Sequence, residues 1–520
     1  MPDPFYITTA ISYPNGRPHI GHAYEAIAAD VIARFQRQMG RDVFFLTGTD
    51  EHGLKMAQAA RERGVQPAAL AEEMSRYFRE MDDRLNVSYD RFIRTTEPEH
   101  HRSSQAIWQA MVDKGDIYLG RYEGWYSVRD EAYYDEKELV TADSGERLSP
   151  QGTEVEWTVE ESWFFRLSRY QEPLLRHYEE NPGFIRPEAR RNEVMRFVEG
   201  GLSDLSISRT SFDWGVKVPG SDDHVMYVWV DALTNYITAA GYPDTESEAY
   251  KRYWPADVHI IGKDIVRFHA VYWPAFLMSA GLELPRQVFG HGFLLHRGEK
   301  MSKSLGNVVD PLELADAFGV DQLRYFLLRE VTFGHDGSYS TEAIVNRVNA
   351  DLANSFGNLA QRALSFIAKN CDGVLPFGGK KDEADGELLA RVAIATRDQL
   401  PRHFGNLELS QGIEAWLRAV FACNQYIDVQ APWTLRKTDP ERMIAVLATL
   451  YVAIRDLAIG ILPVIPAAAG RLLDQMGIGA EERSFASLAD SESYARLAGS
   501  GFKLETPKPI FPRLDASSEG

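Results

Sequence analysis

Apolar positions near the start of the chain predict a buried strand that leads into an amphipathic helix. Residues 5–10 are apolar or β-branched, which is typical of a strand inside a sheet. A turn containing proline and glycine follows, and residues 23–39 then keep a helical period that ends at Gly40. These patterns predict a βα unit whose helix begins close to the carboxyl end of its strand.

The same alternation of strands and helices returns further along the chain. Residues 42–47 predict a second buried strand, and a helical pattern follows from about 54 to 63. Residues 258–261 and 287–290 predict two more strands, the first of them followed by a glycine turn and a helix. Such alternation is typical of a parallel α/β sheet, which binds ligands beyond the carboxyl ends of its strands.

Composition and periodicity divide the chain into an α/β part, an insertion and a helical part. Amphipathic stretches at 342–370, 386–405, 408–428 and 440–462 predict a helix bundle, and the tail at 503–514 is expected to pack back on the body. The fold class predicted is α/β, with a Rossmann-type parallel-sheet domain split by an inserted domain and followed by an all-α domain. The predicted boundaries are 1–116 for the first half of the sheet domain, 117–225 for the aromatic and acidic insertion, 226–292 for the second half, 293–345 for a linker and 346–520 for the helical domain with its tail.

Composition narrows the class of protein. With 520 residues, 44% of them apolar and 25% charged, the chain is an ordinary globular protein too long for one core. We find no signal pattern and no uninterrupted apolar run that spans a bilayer, so a cytoplasmic location without a membrane is expected. Two cysteines, Cys371 and Cys423, exclude a disulfide framework and a four-thiolate metal site. A net charge of −19 argues against indiscriminate binding of nucleic acid, but it does not exclude one specific RNA.

The junction of the first strand and helix carries candidate chemistry. His19, Gly21 and His22 lie where the helix presents unpaired N–H groups and a partial positive charge, which favours a phosphate. Imidazoles can donate hydrogen bonds to oxygens that gain charge as a phosphate chain breaks, and Gly21 would let a base lie on the backbone. For a lone histidine at this place, capping the helix would be the simpler role. The chain also contains the sequence Lys-Met-Ser-Lys-Ser at 300–304, and both motifs are improbable together by chance. We therefore predict that the histidines bind phosphate.

Residues 19–22 and 300–304 together resemble the two signature motifs of the class I aminoacyl-tRNA synthetases. Four further stretches, 10–16, 47–53, 227–233 and 262–269, resemble the methionyl branch of that family, and the similarity extends over nearly the whole chain. The resemblance implies that the sheet domain is catalytic, that the insertion is a connective peptide, that 293–345 carries the lysine loop and that the helical domain binds an anticodon. It also implies a two-step reaction, in which methionine and ATP give methionyl-adenylate and pyrophosphate, and methionyl then passes to the 3′ end of tRNA(Met), elongator or initiator.

The resemblance also implies roles for individual residues. The expected catalytic groups are His19, His22, Lys300 and Lys303, with Mg²⁺ bridging the phosphates of ATP. The expected ATP-binding residues are His19, Gly21, His22, Gly262, Asp264, Leu294, Lys300 and Lys303. The expected methionine-binding residues are Ile11, Tyr13, Asp50, Trp229, Ala232, Leu233, Tyr236, Ile265 and His269. In this pocket Tyr13 and His269 are the expected polar partners of the sulfur, and Asp50 could equally cap the next helix.

The helical domain and the insertion give two further expectations. By resemblance, Asn358, Arg362, Pro432 and Trp433 would read the anticodon, although Trp433 could equally be a core aromatic residue beside a turn. The insertion resembles a zinc knuckle in which Ser127 and Asp130 stand where relatives have a Cys-x-x-Cys pair. Hydroxyl and carboxylate groups without soft ligands do not form a structural zinc site. We therefore predict no zinc and a loop held by aromatic packing.

Several alternatives remain at this point. A sibling enzyme for isoleucine, valine or leucine would resemble this fold but carries a larger editing insertion. A cysteinyl enzyme would need thiolates near the pocket. A tRNA-binding paralogue without catalysis would not need the intact histidines and lysines, and a nucleotidyltransferase with a similar histidine motif would not need a helix bundle. A monomer is expected, because some relatives dimerise through an additional C-terminal domain that is not found here.

Overall fold

The computed structural model describes residues 2–130, 132–142, 144–296, 299–300 and 308–515. Its first α/β segment begins with the predicted strand and helix, and the side chain of His19 caps the helix by accepting from the backbone N–H of Gly21. The second predicted strand and the helix after it are also confirmed. The elements of this segment are β1 (Pro4–Thr9), α1 (Ile20–Gln38), β2 (Asp42–Thr49), α2 (Leu54–Arg63), α3 (Pro67–Arg84), β3 (Arg91–Arg94) and α4 (Pro98–Asp113).

The next segment consists mainly of short antiparallel strands. It contains two 3₁₀ turns, Glu136–Glu138 and Leu167–Tyr170. Its long strand pair, β4 with β8, forms a sheet of order β10-β8-β4-β5, and a second sheet has the order β11-β13-β12. The elements are β4 (Ile117–Ser127), β5 (Ala132–Tyr134), β6 (Val140–Thr141), β7 (Arg147–Leu148), β8 (Glu156–Phe165), α5 (Gln171–Glu180), β9 (Ile185–Arg186), α6 (Glu188–Glu199), β10 (Leu205–Ser206), β11 (Ser208–Arg209), β12 (Lys217–Val218) and β13 (Ser221–Met226).

The chain then returns to the α/β part. A 3₁₀ turn, Lys263–Ile265, and a π-helical segment, Phe268–Tyr272, follow the predicted strand at 258–261. The elements are α7 (Val228–Ala240), α8 (Glu248–Tyr253), β14 (Val258–Gly262), α9 (Trp273–Ala280), β15 (Val288–His291), β16 (Leu294–His296), β17 (Glu299–Lys300), α10 (Pro311–Phe318), α11 (Val320–Glu330) and β18 (Gly337–Tyr339).

Six parallel strands form the main sheet in the order β3-β2-β1-β14-β15-β9. The chain leaves β1 toward β2 on one side, while β14 returns on the other side of β1. The carboxyl ends of β1 and β14 therefore border a crevice at the point where the strand order reverses. The edge strand β9 comes from within residues 117–225, so the range assigned to the insertion also supplies a strand to the main sheet.

A helix bundle follows, as the amphipathic stretches predict. Two π-helical segments, Val348–Gly357 and Ile394–Gln399, continue its helices, and two 3₁₀ turns, Ala480–Glu482 and Ala486–Ala489, precede the last one. The predicted fold class, a split parallel-sheet domain with a helical domain, is confirmed. The helices are α12 (Thr341–Arg347), α13 (Asn358–Asn370), α14 (Glu383–Ala393), α15 (Leu400–Gly405), α16 (Leu409–Gln430), α17 (Pro432–Thr438), α18 (Pro440–Ile461), α19 (Pro466–Gln475) and α20 (Ser493–Gly499).

Among the described helices, α18 is long and apolar enough to cross a membrane by length and composition. Arg455 and Asp456 interrupt its apolar side chains, so it is not an uninterrupted apolar run of the kind sought in the sequence. Within the most apolar window of this helix, 83% of the residues are buried inside the protein. Such extensive burial is typical of a helix in the core of a protein, because a membrane-spanning helix would leave apolar side chains facing outward.

Helix α1 joins the sheet domain to the bundle. The side chain of Arg324 on α11 is fully buried and donates to Asp30 of α1 at 2.6 Å. The same guanidinium donates to the carbonyls of Pro463 and Val464, both at 3.0 Å, in the turn after α18. At the last residue of α1, the side-chain amide of Gln38 donates to the carbonyl of Ile459 at 2.7 Å. These contacts attach the middle and the C-terminal end of α1 to the bundle, while His19 lies at its N-terminus.

We expect Asp30→Asn to lower the thermal unfolding midpoint by several degrees. Removing one partner of a buried ion pair leaves the other charge without compensation, which costs about 3–5 kcal/mol. The matched control is Asp316→Asn, which breaks the exposed pair between Asp316 and Arg84 and should leave the midpoint nearly unchanged. The midpoints are measured by circular dichroism or calorimetry. Equal shifts in the two variants would show that the buried Asp30–Arg324 pair stabilises the fold no more than the exposed pair does.

Candidate active site

A cleft of about 550 Å³ opens at the carboxyl ends of β1 and β14, between the start of α1 and helix α7. Every predicted methionine-binding residue lines it: Ile11, Tyr13, Asp50, Trp229, Ala232, Leu233, Tyr236, Ile265 and His269. So do six predicted ATP-binding residues, His19, Gly21, His22, Gly262, Asp264 and Leu294. Lys303 lies outside the described residues. For Lys300 the structure describes the backbone only, which pairs with Leu295 of β16.

The two histidines at the start of α1 have defined tautomers. Nδ1 of His19 accepts from the backbone N–H of Gly21 at 3.0 Å, and Nδ1 of His22 accepts from the backbone N–H of His19 at 3.1 Å. In a neutral imidazole whose Nδ1 accepts, the proton is on Nε2. Both rings therefore carry an Nε2–H donor, and their centroids lie 3.9 Å apart. His19 can therefore cap α1 through Nδ1 and donate a hydrogen bond through Nε2 at the same time.

The position of Gly21 requires a glycine for a local structural reason as well as for the proposed function. A Cβ atom at this position would come within 2.9 Å of the ring of His19, which is held in place by the cap. A side chain there would therefore push the ring of His19 out of its capping position.

The wall formed by α7 and the π-helical segment Phe268–Tyr272 is aromatic, and its histidine is neutral. Trp229 stacks on Phe268, with ring centroids 3.8 Å apart and planes at 6°. The hydroxyl of Tyr236 lies 2.7 Å from Nε2 of His269, and Nδ1 of His269 lies 3.0 Å from the carbonyl of Ile265. Burial lowers the pKa of His269 to about 4, so the ring is neutral at physiological pH. Its Nδ1–H donates to the carbonyl, and its Nε2 accepts from Tyr236.

This network differs from the polar contact expected of His269. Both ring nitrogens of His269 are used within the protein, so a thioether in the pocket would meet the ring edge rather than an N–H donor. Tyr13 keeps a hydroxyl at the cleft, and its oxygen accepts from the backbone N–H of Met56 at 3.0 Å.

Asp50 does not cap the helix that follows it. The N-terminal cap of α2 is Gly53, which makes no side-chain cap bond. Asp50 is buried at the cleft, and its backbone N–H donates to the carbonyl of Ser12 at 2.9 Å, next to Tyr13. Of the two roles that the sequence allowed, the capping role is excluded by this geometry.

Sequence reasoning missed a buried pair at the edge of the cleft. Oε2 of Glu25 lies 2.7 Å from Nε2 of His291, and Oε1 accepts from the backbone N–H of Ala10 at 3.1 Å. Burial raises the pKa of Glu25, while the Glu25 carboxyl raises that of His291 against the effect of burial. One signal could have found Glu25, because it follows His22 by three residues on the same helical face.

The knuckle of the insertion is held differently from our expectation. We predicted aromatic packing, and Trp125 does meet Trp157 edge to face at 5.5 Å. The two turns themselves are joined by hydrogen bonds, because Oδ2 of Asp130 accepts from Ser149 and Thr153, each at 2.6 Å. Further contacts join Ser127 with Thr153 and Tyr134 with Asp130. Across the described ranges, no group of three or more His, Cys, Asp or Glu side chains could hold a metal ion.

Three of the four residues predicted to bind an anticodon, Asn358, Arg362 and Trp433, are at least partly exposed in the helical domain. Trp433 is 43% exposed, which excludes the core position that the sequence also allowed. The guanidinium of Arg362 lies over its ring at 5.3 Å and donates to Asp428 at 2.6 Å. Pro432 is buried at the start of α17, and Asn358 begins α13, the helix that carries Arg362.

Comparisons with known proteins point to one family. The family model described as tRNA synthetases class I (M) matches residues 5–364, and that described as the anticodon binding domain of methionyl tRNA ligase matches residues 375–519. The methionine--tRNA ligase of Brucella suis is 59% identical over 99% of this chain and 99% of its own length. That of Mycobacterium tuberculosis is 58% identical over 98% of both chains.

Solved structures agree with these relatives. Methionyl-tRNA synthetase of M. tuberculosis in complex with methionyl-adenylate matches 98% of this chain and 100% of its own, with 56% identity and a TM-score of 0.93. The free form of that enzyme gives a TM-score of 0.88 at 53% identity, with 99% of both chains covered. Taken with the parallel-sheet cleft and the exposed helical surface, these matches show that the chain belongs to the methionine--tRNA ligases, the methionyl members of the class I aminoacyl-tRNA synthetases.

Proposed function

We propose that the cleft joins methionine to ATP as methionyl-adenylate, and that the helical domain selects tRNA(Met) by its anticodon. The observation that carries this proposal is the convergence of four separate segments, 10–13, 19–25, 229–236 and 262–269, on one cleft. Segment 19–25 offers donors for phosphate, and segments 229–236 and 262–269 supply aromatic walls for an apolar side chain. Asp50, which also lines the cleft, adds a carboxylate for an ammonium.

In the first step the methionine carboxylate attacks the α-phosphate of ATP. No protein nucleophile is required, since the carboxylate is already ionised, so catalysis consists of positioning and of stabilising charge on the phosphates. The Nε2–H groups of His19 and His22 would donate to phosphate oxygens, and their tautomers are fixed in advance by backbone donors. Lys300 and Lys303 are proposed to neutralise the departing pyrophosphate, and Mg²⁺ would be held chiefly by the phosphates of ATP.

The methionine would lie between Asp50 and the aromatic wall of α7. The Asp50 carboxylate would hold the α-ammonium, while Trp229, Tyr236 and the edge of His269 would surround the thioether. A neutral His269 suits this task, because a charged ring would require solvation that an apolar side chain cannot give. Sulfur against aromatic edges contributes about 0.3–1.5 kcal/mol per contact, which favours methionine over purely aliphatic side chains.

The tRNA would be recognised far from the cleft. An exposed tryptophan beside an arginine forms a platform on which an unstacked base can lie, with Asn358 and Pro432 at its border. Asp428 fixes the guanidinium of Arg362 in the free protein. In the second step the terminal ribose hydroxyl of this tRNA would attack the adenylate. A cytoplasmic location, a monomeric state and the absence of structural zinc remain predictions.

We expect ATP–pyrophosphate exchange to depend on methionine and on His22. Removing one well-placed donor of this type costs about 10²–10³ in rate, so His22→Ala should lower kcat for exchange by that factor with a small change in the KM for methionine. His403→Ala in the bundle is the matched control and should exchange normally. Comparable exchange with leucine or isoleucine would favour a sibling enzyme, and full activity of His22→Ala would contradict the assigned role.

We expect Trp433→Ala to weaken charging of tRNA(Met) and to leave ATP–pyrophosphate exchange unchanged. Loss of one base–aromatic stack costs about 1–3 kcal/mol, so kcat/KM for tRNA should fall roughly 5- to 150-fold. Phe377→Ala removes another exposed aromatic side chain of the helical domain and should not affect charging. A parallel loss of exchange and charging in Trp433→Ala would place this residue in the fold rather than in the RNA surface.

A further inference from the structure

A buried carboxylate lies on the side of α7 that faces away from the cleft. Asp231 is fully buried, and both of its oxygens meet histidine rings. Oδ2 lies 2.6 Å from Nδ1 of His52, and Oδ1 lies 2.6 Å from Nε2 of His100. The proposed reaction does not use this cluster, although Asp231 stands between Trp229 and Ala232 in the sequence.

The carboxylate of Asp231 is charged and has a hydrogen-bond donor at each oxygen. Burial would raise the pKa of Asp231, but the charges and hydrogen bonds of His52 and His100 lower it overall, so the group is ionised at neutral pH. Each facing ring nitrogen therefore carries a hydrogen. The other ring nitrogen of His100 lies 3.3 Å from the hydroxyl of Thr238, so α4 meets α7 at two positions two turns apart.

His52 connects this cluster to the loop that carries Asp50. On either side of His52 the loop bonds to Trp214, whose indole N–H donates to the carbonyl of Glu51 at 2.7 Å and whose carbonyl accepts from Gly53 at 3.2 Å. The carboxylate of Glu51 in turn accepts from Arg94 at 2.7 Å. The loop is thereby held on one side by the insertion and β3, and on the other by Asp231.

Helix α7 thus has two functional faces. Trp229, Ala232, Leu233 and Tyr236 face the cleft. Asp231 and Thr238 face His100 of α4. A rotation or shift of α7 that broke the carboxylate cluster would also move the aromatic wall relative to Asp50.

We infer that Asp231, held by His52 and His100, is a positioning residue that sets the distance between Asp50 and the aromatic wall of α7. This inference rests on the proposed function, in which Asp50 holds the ammonium and α7 surrounds the side chain of the same methionine. The two walls come from remote parts of the chain, and the carboxylate joins them directly. This cluster then fixes the distance between the ammonium site and the side-chain pocket, and with it the length of the amino acid that fits. Asp231 is therefore a determinant of selectivity among amino acids.

The test compares Asp231→Ala with Asp231→Asn in methionine-dependent exchange. A misplacement of about 1 Å can cost up to 10²-fold, so Asp231→Ala should raise the KM for methionine at least about tenfold. The KM for ATP should change less than about twofold, because the histidines of α1 lie on the other side of the cleft. Discrimination against leucine should fall as well. Asp231→Asn keeps the shape of the side chain, and its amide can accept from one histidine ring and donate to the other. This variant should therefore keep most of the affinity for methionine.

A matched control separates positioning from general stability. Asp385 in the bundle is also buried and bonds Arg442 and Tyr426, so Asp385→Ala should lower the unfolding midpoint without changing the KM for methionine. If Asp231→Ala gives no folded protein, His100→Gln is measured instead. This variant loses one of the two hydrogen bonds to Asp231, so the KM for methionine should rise about threefold. An unchanged KM for methionine in the folded variant, or an equal rise in Asp385→Ala, would overturn the inference. Absence of methionine-dependent exchange in the unmodified protein would instead overturn the proposed function.

Discussion

The buried ion pair between Asp30 and Arg324 is the constraint on which the arrangement of domains depends. Both side chains have no exposed surface, so neither charge can turn to solvent. Desolvation makes such a pair costly unless all its partners are in place, and here the backbone carbonyls of Leu85, Pro463 and Val464 accept from the other donors of Arg324. The pair therefore specifies one position of α1 relative to the bundle. The same helix presents His19 and His22 at its N-terminus.

The proposed ATP site offers hydrogen-bond donors to a polyphosphate within an acidic protein. The whole chain carries a net charge of −19, yet the start of α1 offers backbone N–H groups and two imidazole donors rather than acidic side chains. Neutral donors that are oriented in advance need no reorganisation when charge develops, and their effect is greater in a site that excludes water. The proposed methionine wall follows the same logic, because His269 is kept neutral by burial and both its nitrogens are already bonded.

Hydrogen bonds join the two turns of the knuckle. Asp130 comes from one turn, while Ser149 and Thr153 come from the other. Hydrogen bonds to a carboxylate contribute about 1.5–3 kcal/mol each, so those of Asp130 stabilise the approach of the two turns. Arg129, Asp130 and Gln151 also line the cleft, so these bonds fix one rim of the proposed active site.

The sequence by itself determined the fold class, four strands of the main sheet (β1, β2, β14 and β15), the helices α1 and α2, the long helical stretches of the bundle and much of the cleft lining. Periodicity and turn residues are local, since they reflect which face of one element is buried, and they placed α1, β2 and the four long helical stretches correctly. Motif residues such as His22 and Trp229 could be found because their neighbours in the sequence carry the signal. The tertiary structure alone decided the contacts between remote elements. The pairs Glu25–His291 and Asp231–His52 join residues 266 and 179 positions apart, and the short strand β9 reaches the edge of the main sheet. Such contacts leave no period in the chain, because they depend on how finished elements pack against one another.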